Sequence, residues 1–345
     1  MRIVIATTFE PFHSGGDRVI VDSLQEALIH AGHEVETFRI PFRSWYPEML
    51  DQMLALRLFD ISQTCERLIA IRTPSYLLRH PNKILWFIHH HRGAYDSWGT
   101  AYGDLPDTPE GRRYRRAIIQ ADNVAFREAR AIFTNSRLVS RRLLEFNHIS
   151  SEVLYPPLLN AEKYVCSGYG DSVVYFARIV RHKRQHLAIE ALAHTRTPVR
   201  LTIAGPAHDA DYCAELKAAA RHHDVEDRLL LLTSWITDSQ KLELLSNSLA
   251  VLYLAWNEDS YGYASLEAQQ ALKAVITTSD SGGPLELVED DNNGLVVNAD
   301  AQSIAAAMDR LYTDRQLAAR LGREGRVRIA ELGITWENVL QRLLA

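Results

Sequence analysis

Asp259 and Glu267 are two carboxylates eight residues apart, with Tyr261, Gly262 and Tyr263 between them. The apolar run 249–256 leads into this stretch as a strand, and 264–272 leads out with helical spacing. A strand, a glycine-bearing turn and a helix start together make an anion site. The first helical N–H groups have no partner within the helix, and the helix dipole adds positive potential there. A carboxylate at each end can hold the hydroxyls of whatever carries the anion. Anion and hydroxyls on one molecule describe a sugar nucleotide.

Four further clusters fall where strands end. Ser14, Gly15 and Gly16 follow the first strand at the start of the first helix, where glycines let a ligand approach the backbone; an ordinary loop is the alternative. The strict G-x-G-x-x-G pattern is missing, which weighs against a dinucleotide site. His89, His90, His91 and Arg92 follow the strand 83–88. Three consecutive histidines place at least one imidazole toward a ligand, but neighbours on a strand point opposite ways, so they make a poor metal site. Each histidine has a structural role as its alternative. Arg178 and Lys183 precede a helix in the second half of the chain and suit a diphosphate, Arg as a fork and Lys as a point charge. They would neutralise charge on a leaving diphosphate in place of a divalent metal, whereas Arg181, His182 and Arg184 read as a solvated basic loop. The stretch 279–286, Ser-Asp-Ser-Gly-Gly-Pro-Leu-Glu, is either a ligand loop or a turn. Arg112, Arg113, Arg115 and Arg116 read first as a solvated helix face. Their sharper alternative is contact with anionic lipid or an anionic acceptor, extended by Arg141 and Arg142.

The elements that position these groups alternate. Strands are expected over 2–7, 33–39, 83–88, 131–134 and 152–155, with a helix over 17–31 stopped by Gly32. After Pro156-Pro157 and a polar stretch at 160–171, a second set begins. Its strands are 172–177, 199–204, 229–232, 250–254, 274–278 and 294–297, separated by helical runs that start with 184–194. The tail 335–344 is an amphipathic helix with Thr335 as N-cap. This is an α/β pattern of two doubly wound, Rossmann-like units meeting near residue 158, with ligands expected outside the C-terminal strand ends, in the cleft between the units.

Bulk properties agree with this reading. The chain has 345 residues, enough for two domains, with 47% hydrophobic and 23% charged residues. A net charge of −5 argues against nucleic acid as the main partner. Cys65, Cys166 and Cys213 are widely spaced and imply neither a disulfide framework nor a zinc site. Neither a signal peptide nor an apolar run of membrane-spanning length is visible, so the chain reads as a cytoplasmic protein.

In order and spacing these motifs resemble the retaining glycosyltransferases of family 4, which have the GT-B fold. Gly15-Gly16 and Gly32-His33-Glu34-Val35 match the family's first loop and its Gly-His-x-Val. Arg178 and Lys183 match its Gly-Arg-Leu-x-x-x-Lys-Gly without the flanking glycines. Asp259 to Glu267 matches its two glutamates, with Asp for the first and Glu258 beside it. Ala274 to Thr277, Gly282-Gly283, Glu286 and 293–297 complete the series.

The resemblance implies sugar transfer, with retention, from a UDP-, GDP- or dTDP-linked donor to a glycan, lipid-linked or small-molecule hydroxyl. No cofactor and no metal are implied. The division implied is 1–158 on the acceptor side, 159–328 for the nucleotide sugar, and 329–345 as a helix returning to the first domain. Arg178 and Lys183 would hold the diphosphate, Glu267 the ribose hydroxyls, and Asp259, with Glu258 in support, the donor sugar. Ser260, Tyr261, Gly262, Tyr263 and Ala264 would hold phosphate or sugar oxygens, with Gly205 also on the donor side. Trp235 and Ile236 would lie at the base, Gly15 and Gly16 near the phosphates. His90, flanked by His89 and His91, would face the sugar. The competing readings are an epimerase or hydrolase of the same fold, a nucleotide-sugar receptor that does not consume its ligand, and peripheral contact with the inner face of a membrane.

Overall fold

The computed structural model describes residues 1–11, 15–100, 103–207 and 209–345, so Ser14 lies outside the described residues. Two compact units divide the chain. The first comprises Met1–Leu159 with Ile334–Ala345, and the second Asn160–Gly333.

In the first unit, β1 (Arg2–Phe9), β2 (Glu34–Pro41), β3 (Arg67–Ala70), β4 (Lys83–Phe87), β5 (Ala131–Thr134) and β6 (Glu152–Val153) form one parallel sheet in the order β2-β1-β3-β4-β5-β6. Its helices are α1 (Gly16–His30), α2 (Met49–Leu58), α3 (Pro109–Arg127) and α4 (Arg137–Asn147). β3 and β4 are buried at every position, as strands covered on both faces must be. Thr108 and Ser136 cap α3 and α4 by accepting from Gly111 N and Val139 N.

The second unit contains β7 (Ser172–Phe176), β8 (Arg200–Ala204), β9 (Leu229–Leu232), β10 (Ala250–Tyr253), β11 (Ala274–Thr278) and β12 (Gly294–Val297), again all parallel, in the order β12-β11-β10-β7-β8-β9. Around them pack α5 (Gln185–His194), α6 (Ala210–His222), α7 (Asp238–Ser246), α8 (Tyr263–Gln270), α9 (Ala301–Thr313) and α10 (Arg315–Glu331). Counted from β7, the sheet runs 3-2-1-4-5-6, the doubly wound order whose direction reverses between its first and fourth strands. Here the reversal lies between β7 and β10.

The last helix, α11 (Trp336–Leu344), returns to the first unit. Thr335 caps it by accepting from Asn338 N, as its sequence predicts. Val339 and Leu343 are buried, and Trp336 meets Trp86 edge-on at 6.3 Å. The Trp336 indole donates to Leu158 O at 3.1 Å. Buried Arg67 donates to Leu343 O at 2.7 Å, satisfying a carbonyl that the helix end leaves over.

Candidate active site at the second sheet's switch point

The loop after β7 carries Arg178 and Lys183, and the loop after β10 carries 254–262 and leads into α8. Both leave C-terminal strand ends at the reversal, where doubly wound sheets bind ligands. Lys183 is buried, and its Nζ donates to Glu258 and to the Tyr253 hydroxyl at 3.1 Å. The ammonium also lies 5.2 Å from the Tyr253 ring centroid. Burial, reinforced by the Glu258 charge, holds the Tyr253 phenol well above its ordinary range, so it stays protonated. The Lys183 backbone is fixed as well, since Tyr175 OH donates to its carbonyl. Arg178 is exposed and, among the described residues, forms no ion pair. The basic loop thus offers one pinned cation and one ready for a partner.

Glu258 therefore serves as the partner of Lys183. Asp259 is buried, Ser260 is half-buried, and Tyr261 is buried. Gly262 caps α8 at φ 71°, and a Cβ there would lie 2.4 Å from Tyr253 Cζ. The turn needs glycine twice over, for its left-handed backbone and for contact with the ring beside Lys183. The helix opens at Tyr263 and Ala264, whose amides begin its first turn.

Glu267, one turn further on, is 4% exposed. Its Oε1 accepts from Lys241 Nζ and from Tyr164 OH at 3.2 Å. Its Oε2 is buried without a hydrogen-bond partner, and so is the Tyr263 hydroxyl. Burial and the Glu267 charge push the Tyr263 phenol upward. Buried polar atoms are nearly always paired, so this carboxylate oxygen and the Tyr263 hydroxyl are exceptions.

The glycines of the 279–286 loop are scaffold. Gly283 N donates to Glu258 O at 2.8 Å, and Glu258 N to Ser281 O at 2.7 Å. A Cβ on Gly283 would lie 2.4 Å from the Ser260 carbonyl carbon, so only glycine lets the two loops pair backbone to backbone. Gly205 is likewise a close approach, since its Cβ would meet Ala177 O at 1.9 Å, directly before Arg178. Trp235 is 64% exposed and Ile236 half-buried, on the loop between β9 and α7.

Expectations for the basic loop change. Arg181 is exposed and paired with Glu215 at 2.6 Å. His182 is half-buried, and its carbonyl accepts from Trp256 N at 2.9 Å. Arg184 is not solvated: its guanidinium forks onto Asp280 at 2.9 and 2.7 Å and holds that carboxylate below its usual range. It does so from a left-handed backbone at φ 55°, where the motif it resembles has glycine. A left-handed non-glycine costs about 1 kcal/mol or more, and the bidentate pair offsets it. Arg184→Gly should therefore stay within about 1 kcal/mol of the parent, while Arg184→Ala loses the pair and keeps the strain. Urea midpoints rank them, and a glycine variant less stable than the alanine variant contradicts this account.

Gly15, Gly16 and the histidines belong to the first unit. Gly15 is the N-cap of α1 in an extended conformation, and Gly16 is its exposed first residue. His90 is 2% exposed, stacks on Tyr95 at 4.1 Å, and bonds Asn147 Oδ1 through Nε2 at 2.8 Å. Phe87, Phe126 and Phe146 surround it. Burial lowers its pKa to about 4, so it is neutral near pH 7. Expected to face the sugar, His90 has its ring packed in the core between aromatic neighbours. His91 is buried beside Asp104 at 3.3 Å, and His89 is the half-exposed one. The arginine clusters also divide. Arg113 and Arg116 are exposed, Arg115 donates to Ala94 O at 2.7 Å, and Arg142 is buried against Asp96 at 3.2 Å, so it extends no surface patch. Among the described residues no group of three or more His, Cys, Asp or Glu is placed to hold a metal ion.

The family described as Glycosyl transferases group 1 matches residues 169–328, the span that holds Arg178, Lys183, Asp259 and Glu267. The match lies within the second unit. The glycosyltransferase is 27% identical to human alpha-1,3/1,6-mannosyltransferase ALG2 over 304 residues, 79% of this chain and 69% of that one. Its fold is that of the Anabaena Alr3699/HepE complex with UDP and glucose, at TM-score 0.71, 19% identity, and 100% and 98% coverage of the two chains. Sucrose-phosphate synthase from Thermosynechococcus elongatus matches at TM-score 0.75 and 16% identity, covering 99% and 97%. The GT-B fold is thus shared end to end, and the enzyme is a retaining glycosyltransferase that uses a nucleotide-sugar donor. Sequence reasoning had no route to Lys241, Tyr164 or Tyr253 as site residues. They lie on different elements, and no spacing rule relates 164 or 241 to 267.

Proposed function

We propose that this glycosyltransferase moves a hexose from a nucleoside-diphosphate sugar to an acceptor hydroxyl, with Arg178 and Lys183 on the diphosphate and Glu267 on the ribose. The observation that carries this is the buried Oε2 of Glu267 without a hydrogen-bond partner, on the helix that follows β10, while the loop after the neighbouring strand β7 carries the two cations. The mannosyltransferase relative and the UDP and glucose of the structural neighbour support a hexose. Asp259 and the amides at 263–264 face the donor's sugar and phosphate oxygens. Transfer proceeds on one face of the sugar. The bond from the anomeric carbon to the leaving phosphate oxygen breaks, that oxygen takes the acceptor's proton, and the acceptor oxygen bonds the same face. The two cations stabilise the charge growing on the leaving diphosphate. A thermal-shift screen of UDP-, GDP- and dTDP-hexoses and the free diphosphates tests it. A donor at 100-fold its Kd should stabilise by about 2.7 kcal/mol. No response to any nucleotide ends the reading, and cleavage without acceptor points to a hydrolase.

The same enzyme works at a membrane surface. α2 is apolar on two faces, with Met49, Met53 and Leu56 inside but Leu54 (60% exposed) and Leu58 (72% exposed) outside. An open groove of about 310 Å³ between Leu50, Leu54, Leu77, Ala121 and Val124 separates it from α3, which presents Arg113 and Arg116. Apolar side chains beside cations fit an anionic bilayer surface. Among the described residues no helix is long and apolar enough to cross a membrane. Vesicles with phosphatidylglycerol should sediment the protein, phosphatidylcholine alone should not, and Leu54→Glu with Leu58→Glu should release it. Equal behaviour on both vesicle types removes this proposal.

A further inference from the structure

Glu267 reaches its ligand position by way of two residues outside its own helix. Lys241, in the first turn of α7, and Tyr164, in the segment before β7, both donate to Oε1. Lys241 is also placed over the Phe176 ring at 5.9 Å, at the end of β7. Both donors sit on one oxygen, and the other is buried with none. A carboxylate free to rotate would share its partners between two oxygens. Held this way, it presents a single acceptor in a fixed direction. The Tyr263 hydroxyl, one helical turn earlier on α8, is also buried without a hydrogen-bond partner. An acceptor oxygen and a hydroxyl on one helix face, four residues apart, suit two neighbouring hydroxyl groups on one ring.

We infer that Lys241 and Tyr164 are positioning residues that lock Glu267 Oε2, with Tyr263, into a reader of the ribose diol, and so set the enzyme's preference for ribonucleotide over dideoxyribonucleotide donors. The inference rests on the ribose role given to Glu267 above. Lys241 itself need not touch the donor. Its charge keeps Oε1 occupied, so a donor lacking ribose hydroxyls leaves Oε2 buried and unpaired. A site built to pair a hydroxyl rejects the analogue without it for this reason.

The test measures binding of UDP and GDP, each against its 2′,3′-dideoxy counterpart, by calorimetry on the full chain. The parent should prefer the ribose form of its nucleotide by roughly tenfold or more, the size expected for hydrogen bonds to a charged group. Lys241→Met should cut that ratio at least about threefold, raise KM for the donor, and leave kcat at saturating donor within about threefold, because uniform binding is what is lost. Lys241→Arg should restore the ratio, and Tyr164→Phe should lower it less. A ratio unchanged in both Lys241→Met and Tyr164→Phe, while Glu267→Gln abolishes it, overturns the inference and spares the ribose role. A ratio unchanged in Glu267→Gln overturns that role itself. Should Lys241→Met fail to fold, Tyr164→Phe decides, since it removes a single hydroxyl.

Discussion

Replacing Arg178 and Lys183 together with alanine is expected to lower kcat/KM for the nucleotide sugar by about a thousandfold or more. A fixed cation at a developing anion typically contributes several kcal/mol, and each 1.36 kcal/mol is tenfold in rate. The single variants should differ in kind. Arg178 is exposed and, among the described residues, has no ion-pair partner to abandon, so its loss should cost rate with little change in melting temperature. Lys183 is buried against Glu258 and Tyr253, and its removal takes a hydrogen-bonded cation from both. Its variant should lose both rate and stability, because a buried hydrogen-bonded charge is removed from a packed site. Steady-state kinetics with thermal melts separates these outcomes. A double variant within tenfold of the parent rate would remove the two cations from the mechanism.

Gly262→Ala should damage both stability and donor binding. The added Cβ must adopt φ near 71° and would lie 2.4 to 2.7 Å from Cζ, Cε1 and OH of Tyr253. A left-handed residue costs about 1–2 kcal/mol and overpacking about 1–3 kcal/mol. Tyr253 cannot yield freely, because its hydroxyl accepts from Lys183 and its side chain is buried. The strain therefore passes to the cation and to the first turn of α8. The melting temperature should fall by about 5–10 °C, and donor KM should rise at least about tenfold, a loss of roughly 1.4 kcal/mol of binding. Unchanged KM with lowered stability would show that the turn supports the fold without orienting the donor site.

Much of the architecture was legible because parallel strands covered on both faces read as short apolar runs, as 274–278 and 250–254 do. β3 and α2 were not. β3 is four residues, Arg67–Ala70, and the turn before it holds no glycine or proline to mark its start. α2 is apolar on both its inner and outer faces, so no helical stripe shows against a polar background. Caps were legible where one side chain meets one backbone group three residues on, as at Thr335.

The sequence by itself determined the alternation of strands and helices and which motifs fall where strands end. Those follow from local spacing, since where a strand stops and a helix starts is written in neighbouring residues. Only the tertiary structure decided which side chains answer one another. It paired Lys183 with Glu258 and forked Arg184 onto Asp280 from a left-handed turn. It sealed His90 among aromatic rings, although His89, one residue away, stays half-exposed. It brought Lys241 and Tyr164 to one oxygen of Glu267 and left the other bare. Each depends on how separate elements are packed across many residues of chain, and a carboxylate's partner in space leaves no periodicity in the sequence.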